Sequence, residues 1–297
     1  MSWTGFEIFF KGAARDSLLQ AIDLALDEDG PDLTSLAVFS PDDVMRARIV
    51  AKEDTLVAGL PIVSLVLDAL GARAACETDF AVEEGSRVAR GTAVCRLKGP
   101  AVALLRAERV ILNFICHLSG VANLTARYVA ALSGTTTRLL DTRKTLPGLR
   151  YPEKYAVLVG GGCNHRKNLA EMLMLKDNHI DRAGGIPQAM AALRGAYRDG
   201  LKSMPPVEIE CRTLEEVALA VAEKPARIMF DNMDPDTMRR ARTLVPPGIE
   251  TEASGGVSLD TIISVAAAGP DYVSVGRITH SAPAADFSMQ LTSVRPS

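Results

Sequence analysis

PVEIECRTLEEVALAVAEKPARIMFDNM, residues 206–233, reads as strand, helix, strand. PVEI and ARIMF are short β-rich runs, and TLEEVALAVAE between them has apolar residues at helical spacing. Each strand run ends in a carboxylate, Glu210 in the first and Asp231 in the second. The same rhythm extends in both directions. Upstream lie TTRLLDTRKT (136–145), AEMLMLKDNH (170–179) and the helical pattern IPQAMAALRGAY (186–197). Downstream lie PDTMRRARTL (235–244), GIETEASGG (248–256), SLDTIISVAAAG (258–269) and DYVSVGRITH (271–280). Alternating strand and helix argues for a parallel sheet, and six such units in about 150 residues fit an α/β barrel better than an open sheet.

In a barrel the C-terminal ends of the strands meet at one mouth and carry the chemistry. The first run ends at Asp141, Thr142, Arg143 and Lys144, the loop after it contains His165 and Arg166, and the second run ends at Lys176, Asp177, Asn178 and His179. Cations converging on a chain of net charge -3 imply a substrate with several negative charges. Arginine suits carboxylate and phosphate because its planar fork makes paired bonds. Glu210 and Asp231 then reverse the sign. Facing a cationic mouth they stay ionised, and can hold ribose hydroxyls or orient a Mg²⁺ that also carries phosphate oxygens. Ser254, Gly255 and Gly256, and then Val275, Gly276 and Arg277, fit phosphate loops, which barrels often place after their last strands. The run Gly160-Gly161-Gly162 could bring backbone N–H groups to an anion or let a lid move. His280 carries little weight. These residues describe a site for a polyanion, a sugar and a phosphate, without naming a reaction. A Schiff-base aldolase using Lys176 and a phosphosugar sensor both stay open on this reading, although the first does not explain Glu210 and Asp231 and the second needs neither.

The N-terminal part has a different texture. RDSLLQAIDLALDED (15–29) is an amphipathic helix stopped by Gly30 and Pro31. RARIVAKED, TLVAGL, ARAACETDF and SRVARGTAVCRLKG read as short strands around the helix PIVSLVLDAL, a small α+β unit. Residues 101–132 are mostly helical, with Gly120 as a candidate break. The 297 residues, 47% hydrophobic, suffice for one large or two moderate cores. An acidic balance speaks against nucleic acid. No apolar run reaches membrane-spanning length, the start lacks a signal-peptide pattern, and five scattered cysteines read as reduced thiols of a cytoplasmic protein.

Several longer motifs together resemble the quinolinate phosphoribosyltransferase family. They are AERVILNFICHLSGVA (107–122), DTRKTLPGLRYPEKYAV (141–157), GGGCNHRKNLAEMLMLKDNHI (160–180), the Glu210 of VEIE, FDNM (230–233), EASGGV (252–257) and SVGRITHSAPAADFS (274–288). The resemblance runs from about residue 15 to 290. KDNH separates the chain from a paralogue encoded with molybdate transporters. It departs from the family pattern at EDGPDLTS (28–35) and at Lys167 and Asn168.

The resemblance implies an α/β fold: an incomplete α/β barrel, residues 118–283, preceded by a small open-faced α/β sandwich, residues 1–117, which the segment 284–297 joins. It implies an obligate homodimer. The quinolinate carboxylates would lie on Arg109 (from the neighbouring subunit), Arg143, Lys144, His165, Arg166 and Lys176, beside Thr142. The phosphoribosyl group would lie on Lys144, Lys176, Glu210 and Asp231, which form the catalytic set, with Mg²⁺ near the two acids. Its 5-phosphate would lie on Ser254–Gly256 and Val275–Arg277. The implied reaction, in NAD biosynthesis, converts quinolinate and phosphoribosyl pyrophosphate to nicotinate mononucleotide, pyrophosphate and carbon dioxide. The ring nitrogen attacks ribose C1 with inversion, and the 2-carboxylate then leaves.

Overall fold

A computed structural model of the chain describes residues 3–198 and 203–293. Its strands in chain order are β1 Val44–Ala51, β2 Thr55–Leu56, β3 Glu77–Phe80, β4 Arg87–Val88 and β5 Ala93–Pro100, then β6 Arg138–Leu140, β7 Leu173–Leu175, β8 Val207–Cys211, β9 Arg227–Asp231, β10 Glu250–Ser254, β11 Tyr272–Ser274, and last β12 Phe287–Ser293. The chain forms two compact units. One holds the residues up to Ala126, Thr145–Gly161 and Ile278 onward; the other holds Arg127–Lys144 and Gly162–Arg277.

In the first unit an antiparallel sheet runs β12-β1-β5-β3. On β1, Ala47, Ile49 and Ala51 are buried while Arg46 and Arg48 point the other way, opposite Lys98 and Arg96 of β5. Period-two alternation thus gives the sheet one apolar face and one charged, open face. There Arg96 pairs with Asp79 at 3.0 Å and Lys98 with Glu77 at 2.7 Å. The first amphipathic helix runs Ala13–Asp29, its apolar stripe Leu18, Ile22 and Leu26 buried, and Gly30 caps it at φ 65°. TLVAGL yields only β2. Beyond Leu56 the N–H groups of Ala58, Gly59 and Leu60 donate to Ser119 and Glu84, so no strand can pair with them.

Gly120 does not break a helix. A single helix runs Ala101–Ala131 through it. A Cβ at Gly120 would collide with the Pro283 carbonyl, so the glycine is there for close approach of backbone to helix. The triple glycine is corrected in the same way. A Cβ at Gly160 would strike Ala122 and Thr125. The N–H groups of Gly160 and Gly161 are spent on the carbonyls of Ala156 and Leu158, and so are not offered to an anion.

The units differ from the expected ranges chiefly at Thr145–Gly161, which packs with the N-terminal residues. Tyr155 is fully buried, its ring 5.2 Å from Phe6 and 5.3 Å from Phe10, and its hydroxyl donates to Glu84 at 3.0 Å. Such an aromatic cluster and buried hydrogen bond hold this stretch more firmly than sequence order does. β12 pairs with β1 from Met45–Ser293 to Ala51–Phe287, and residues 294–297 of the expected joining segment lie outside the described residues.

The second unit is a parallel six-stranded sheet in the order β6-β11-β10-β9-β8-β7. That is the cyclic order of a barrel opened between β6 and β7, with none of the reversal that marks a doubly wound sheet. In the opening, Cys163 makes an isolated parallel bridge to Leu140. All six expected strand runs form, and the helices Leu214–Glu223 and Pro235–Leu244 start at the caps Thr213 and Asp234.

Candidate active site

Strand alternation sets what faces the lumen of the open barrel. On β8, Val207, Ile209 and Cys211 are buried against the outer layer, which turns Glu208 and Glu210 inward. In register, Glu208 lies opposite Arg227, Glu210 opposite Met229, and Ser254 opposite Asp231. The lumen is therefore layered, and charged where most barrels are aliphatic. In its lowest layer Arg227 pairs with Glu250 at 2.8 Å and lies 4.3 Å over the Tyr272 ring. In the middle, Arg227 also reaches Glu252 at 2.8 Å, and His165 Nε2 lies 2.9 Å from Glu208 and 3.4 Å from Glu252. Glu208 and Glu252 are fully buried. Burial pushes the Glu208 carboxyl up, helped by the like charge of Glu252. Burial would do the same to Glu252, but its contact with His165 and the charge of Arg227 hold it low.

His165 is pulled two ways. Burial lowers its pKa, but its bonds to Glu208 and Glu252 win and push it up to about 9. Yet its Nδ1 accepts the backbone N–H of Arg166 at 2.7 Å, which only an unprotonated nitrogen can do. The bond geometry decides for a ring carrying its proton on Nε2. The mouth loop is further fixed by the buried Asp141, which accepts the His165 N–H at 2.8 Å and the Asn164 amide at 2.7 Å.

Above the lumen lies the mouth. Lys176 Nζ donates to Glu210 Oε1 at 2.7 Å, and Asp231 accepts the Asn232 amide at 2.9 Å. Arg166 reaches the Met172 carbonyl with Nη1 at 2.7 Å. Its pKa is lowered first by burial and then by the like charge of Arg143. Arg143 Nε is buried without a hydrogen-bond partner among the described residues. Thr142 Oγ1 accepts the Lys144 N–H at 2.9 Å, shaping the turn that carries the exposed Lys144. Gly255, at φ 101°, lies so close to Asn232 that a Cβ would overlap it, and Asn232 N donates to the Ser254 carbonyl at 2.9 Å. Only glycine lets the 254–256 turn fold against the end of β9.

Three expected residues sit differently from the rest. Val275 is buried and its N–H donates to Leu140, so it belongs to the sheet and leaves Gly276 and the exposed Arg277 at that loop. His165 is turned into the lumen, with its side chain 5% exposed. Arg109 belongs to the first unit, with a side chain 73% exposed and an ion pair to the neighbouring Glu108 at 3.7 Å. His280 pairs with the neighbouring Ser281. Lys167 and Asn168 close a local turn, the first through its N–H to Glu171 and the second by accepting from Ala170 and Glu171. Glu208, Glu252 and Arg227 were not expected. The signal was present, since Glu208 and Glu210 alternate on one face of VEIE, as do Glu250 and Glu252 of IETEAS.

Glu210 and Asp231 offer carboxylate oxygens at solvent-accessible strand ends, a donor set that fits Mg²⁺ with water and phosphate completing its shell. His165, Glu208 and Glu252 also have ligand atoms within 4.8 Å of one another. There Arg227 already neutralises Glu252 and the protonated Nε2 of the neutral His165 ring faces Glu208, so the cluster is engaged within the protein. Lys176, ion-paired and with its side chain 46% exposed, is unlike the desolvated amine of an aldolase.

An open parallel barrel with arginines, a lysine and two carboxylates around its C-terminal mouth is the frame of a barrel enzyme acting on an anionic substrate. Two family models cover nearly the whole chain: quinolinate phosphoribosyl transferase, N-terminal domain, over residues 32–119, and its C-terminal domain over 121–290. The chain is 37% identical to the nicotinate-nucleotide pyrophosphorylase [carboxylating] of Mycobacterium leprae, covering 94% of this chain and 97% of that one. It is 36% identical to the human protein of the same name, over 93% and 92%. The NadC structure from Streptococcus pyogenes superposes with a TM-score of 0.86 at 38% identity, covering 93% of this chain and 96% of that one. The chain belongs to the quinolinate phosphoribosyltransferase family.

Proposed function

We propose that this chain joins quinolinate, a pyridine-2,3-dicarboxylate, to phosphoribosyl pyrophosphate, forming nicotinate mononucleotide, pyrophosphate and carbon dioxide, a step of NAD biosynthesis. The observation that carries this reading is the Arg143–Arg166 pair. Two guanidinium groups near enough to depress the proton affinity of one, with a buried donor of the other unpartnered, are poised for a dianion. Lys144 and Lys176 add charge at the same strand ends.

The protein's part is placement and neutralisation. Arg143 and Arg166 hold the ring carboxylates, so that the pyridine nitrogen faces ribose C1. Glu210 and Asp231 hold the ribose and would carry Mg²⁺, through water where needed. The chemistry such an ion supplies is neutralisation of the departing pyrophosphate. As the C1–O bond breaks, positive character builds on the sugar beside these acids, which stabilise it. The nitrogen lone pair forms the new C1–N bond with inversion. The 2-carboxylate then leaves as carbon dioxide, its C–C bonding pair remaining on the ring beside the quaternised nitrogen until C2 takes a proton. The glycine turn at 254–256 and the Gly276–Arg277 loop receive the 5-phosphate.

Substrate choice tests this reading. Quinolinate should react, and nicotinate, which lacks one carboxylate, should do so with kcat/KM lower by about 10²-fold or more, because one cation stays unpaired. Equal values would overturn it.

The setting is cytoplasmic on this reading, supported by five free thiols. Among the described residues no helix is long and apolar enough to cross a membrane. A homodimer is part of the proposal as well, with Arg109 supplied to the neighbouring subunit's mouth. Its support is the exposed side chain of Arg109 on a helix whose other face is buried through Val110, Ile111, Phe114 and Ile115. Mixing inactive Arg109→Ala and Lys144→Ala chains should restore activity, with one intact mouth per heterodimer. If subunits exchange and no activity returns, the site is not shared.

A further inference from the structure

Glu208 is a buried acid that the packing does not account for. Its side chain is 0% exposed, and among the described residues neither of its oxygens has an aligned hydrogen-bond partner; what faces it is His165 Nε2, an ion-pair contact at 2.9 Å. Each of the other buried acids accepts at least one hydrogen bond from the protein. Glu84 accepts the N–H groups of Gly59 and Leu60 and the Tyr155 hydroxyl. Glu153 takes His117 and the Leu146 N–H. Glu252 Oε2 accepts from Arg227 at 2.8 Å. A carboxylate retained for folding alone needs such partners, since unmet lone pairs in a dry interior are costly. Glu208 lacks them, and removing it would relieve its repulsion with Glu252.

What Glu208 holds is one end of a short relay. His165 Nε2 faces it, while Nδ1 on the other side of the ring accepts the Arg166 N–H at 2.7 Å. The two ends are linked by tautomerism. A carboxylate close to Nε2 favours the proton there, and that leaves Nδ1 free to accept. The residue so anchored is one of the two arginines at the mouth.

We propose that Glu208 is a positioning residue for the dicarboxylate subsite: its carboxylate, 2.9 Å from His165 Nε2, holds the ring proton on that nitrogen and so fixes the tautomer that receives the Arg166 N–H, and thereby sets where the Arg166 guanidinium meets the substrate. This rests on the reading that Arg143 and Arg166 receive the ring carboxylates. Glutamine at 208 removes the carboxylate that holds the proton on Nε2, and with its amide nitrogen turned to the ring it donates to Nε2 and favours the opposite tautomer, which sets Nδ1–H against the Arg166 N–H and displaces that residue.

The test compares the wild type with Glu208→Gln, His165→Asn and the double variant in steady-state kinetics, with ¹⁵N NMR of the imidazole. Glu208→Gln should raise KM for quinolinate by about tenfold or more while KM for phosphoribosyl pyrophosphate stays within about twofold. The NMR signals should show Nε2–H in the wild type and Nδ1–H in Glu208→Gln. In the His165→Asn background the same change should add less than about twofold, because the relay is already cut. Should Glu208→Gln fail to fold, Glu208→Asp, which keeps the acid but draws it back from Nε2, carries the same comparison. Equal rises in both KM values, or an undiminished effect without His165, would overturn the proposal. A wild type that does not use quinolinate sinks the functional reading itself; an active wild type with an indifferent Glu208 variant sinks only this relay.

Discussion

Arg143→Met is expected to lower kcat/KM for quinolinate by about 10²–10³-fold while the thermal midpoint of the substrate-free protein stays level or rises. The loss corresponds to roughly 3–4 kcal/mol, the size expected when one member of a desolvated charge pair is truncated. The stability side has the opposite sign to an ordinary truncation. In the free protein Arg143 Nε is buried without a hydrogen-bond partner among the described residues, and its charge works against Arg166. Methionine keeps the apolar stem and removes both penalties. Steady-state kinetics and a thermal melt measure the two halves. Activity within about threefold of wild type would remove Arg143 from the site, and a large drop in midpoint would make its role structural.

Glu210→Ala and Asp231→Ala should each cut kcat by about 10²-fold or more, as expected when a group that stabilises developing charge is lost. Glu210 has the further effect of leaving Lys176 without its 2.7 Å partner, so a free ammonium stands where positive charge must develop on the sugar. Both acids are half-buried at strand ends, above the packed layers, and the fold should survive their removal. Kinetics on variants with unchanged circular dichroism settle the matter. Near-normal turnover in both would mean that the mouth has been assigned to the wrong residues.

Much of this was open to reading in the chain itself. The six strand runs of the barrel form where alternation of strand and helix places them, because each is a short apolar stretch closed by polar residues. The residues at their C-terminal ends meet because parallel strands end on one side. Less could be read where the cause is tertiary. Gly120 looks like a helix breaker, yet it is required by the Pro283 backbone, more than 160 residues away in sequence. TLVAGL looks like a strand, but Glu84 and Ser119 capture its N–H groups first. Val275 sits in a glycine-containing loop motif and is nonetheless committed to β6. Thr145–Gly161 follows a barrel strand in sequence but belongs to the first unit, where Tyr155 packs on Phe6 and Phe10 and bonds Glu84. The second carboxylate of VEIE drew attention because it ends the strand. The first, one layer deeper, needed the alternation pressed one step further.

The central claim is that the mouth brings a dicarboxylate and a phosphoribosyl donor together and removes one carboxyl group. The direct measurement incubates the protein with quinolinate labelled in its 2-carboxyl carbon, phosphoribosyl pyrophosphate and Mg²⁺, and follows labelled carbon dioxide together with pyrophosphate. Carbon dioxide and pyrophosphate should appear in equal amounts, with nicotinate mononucleotide as the nucleotide product. No labelled carbon dioxide above the enzyme-free control, or pyrophosphate released without it, would contradict the account.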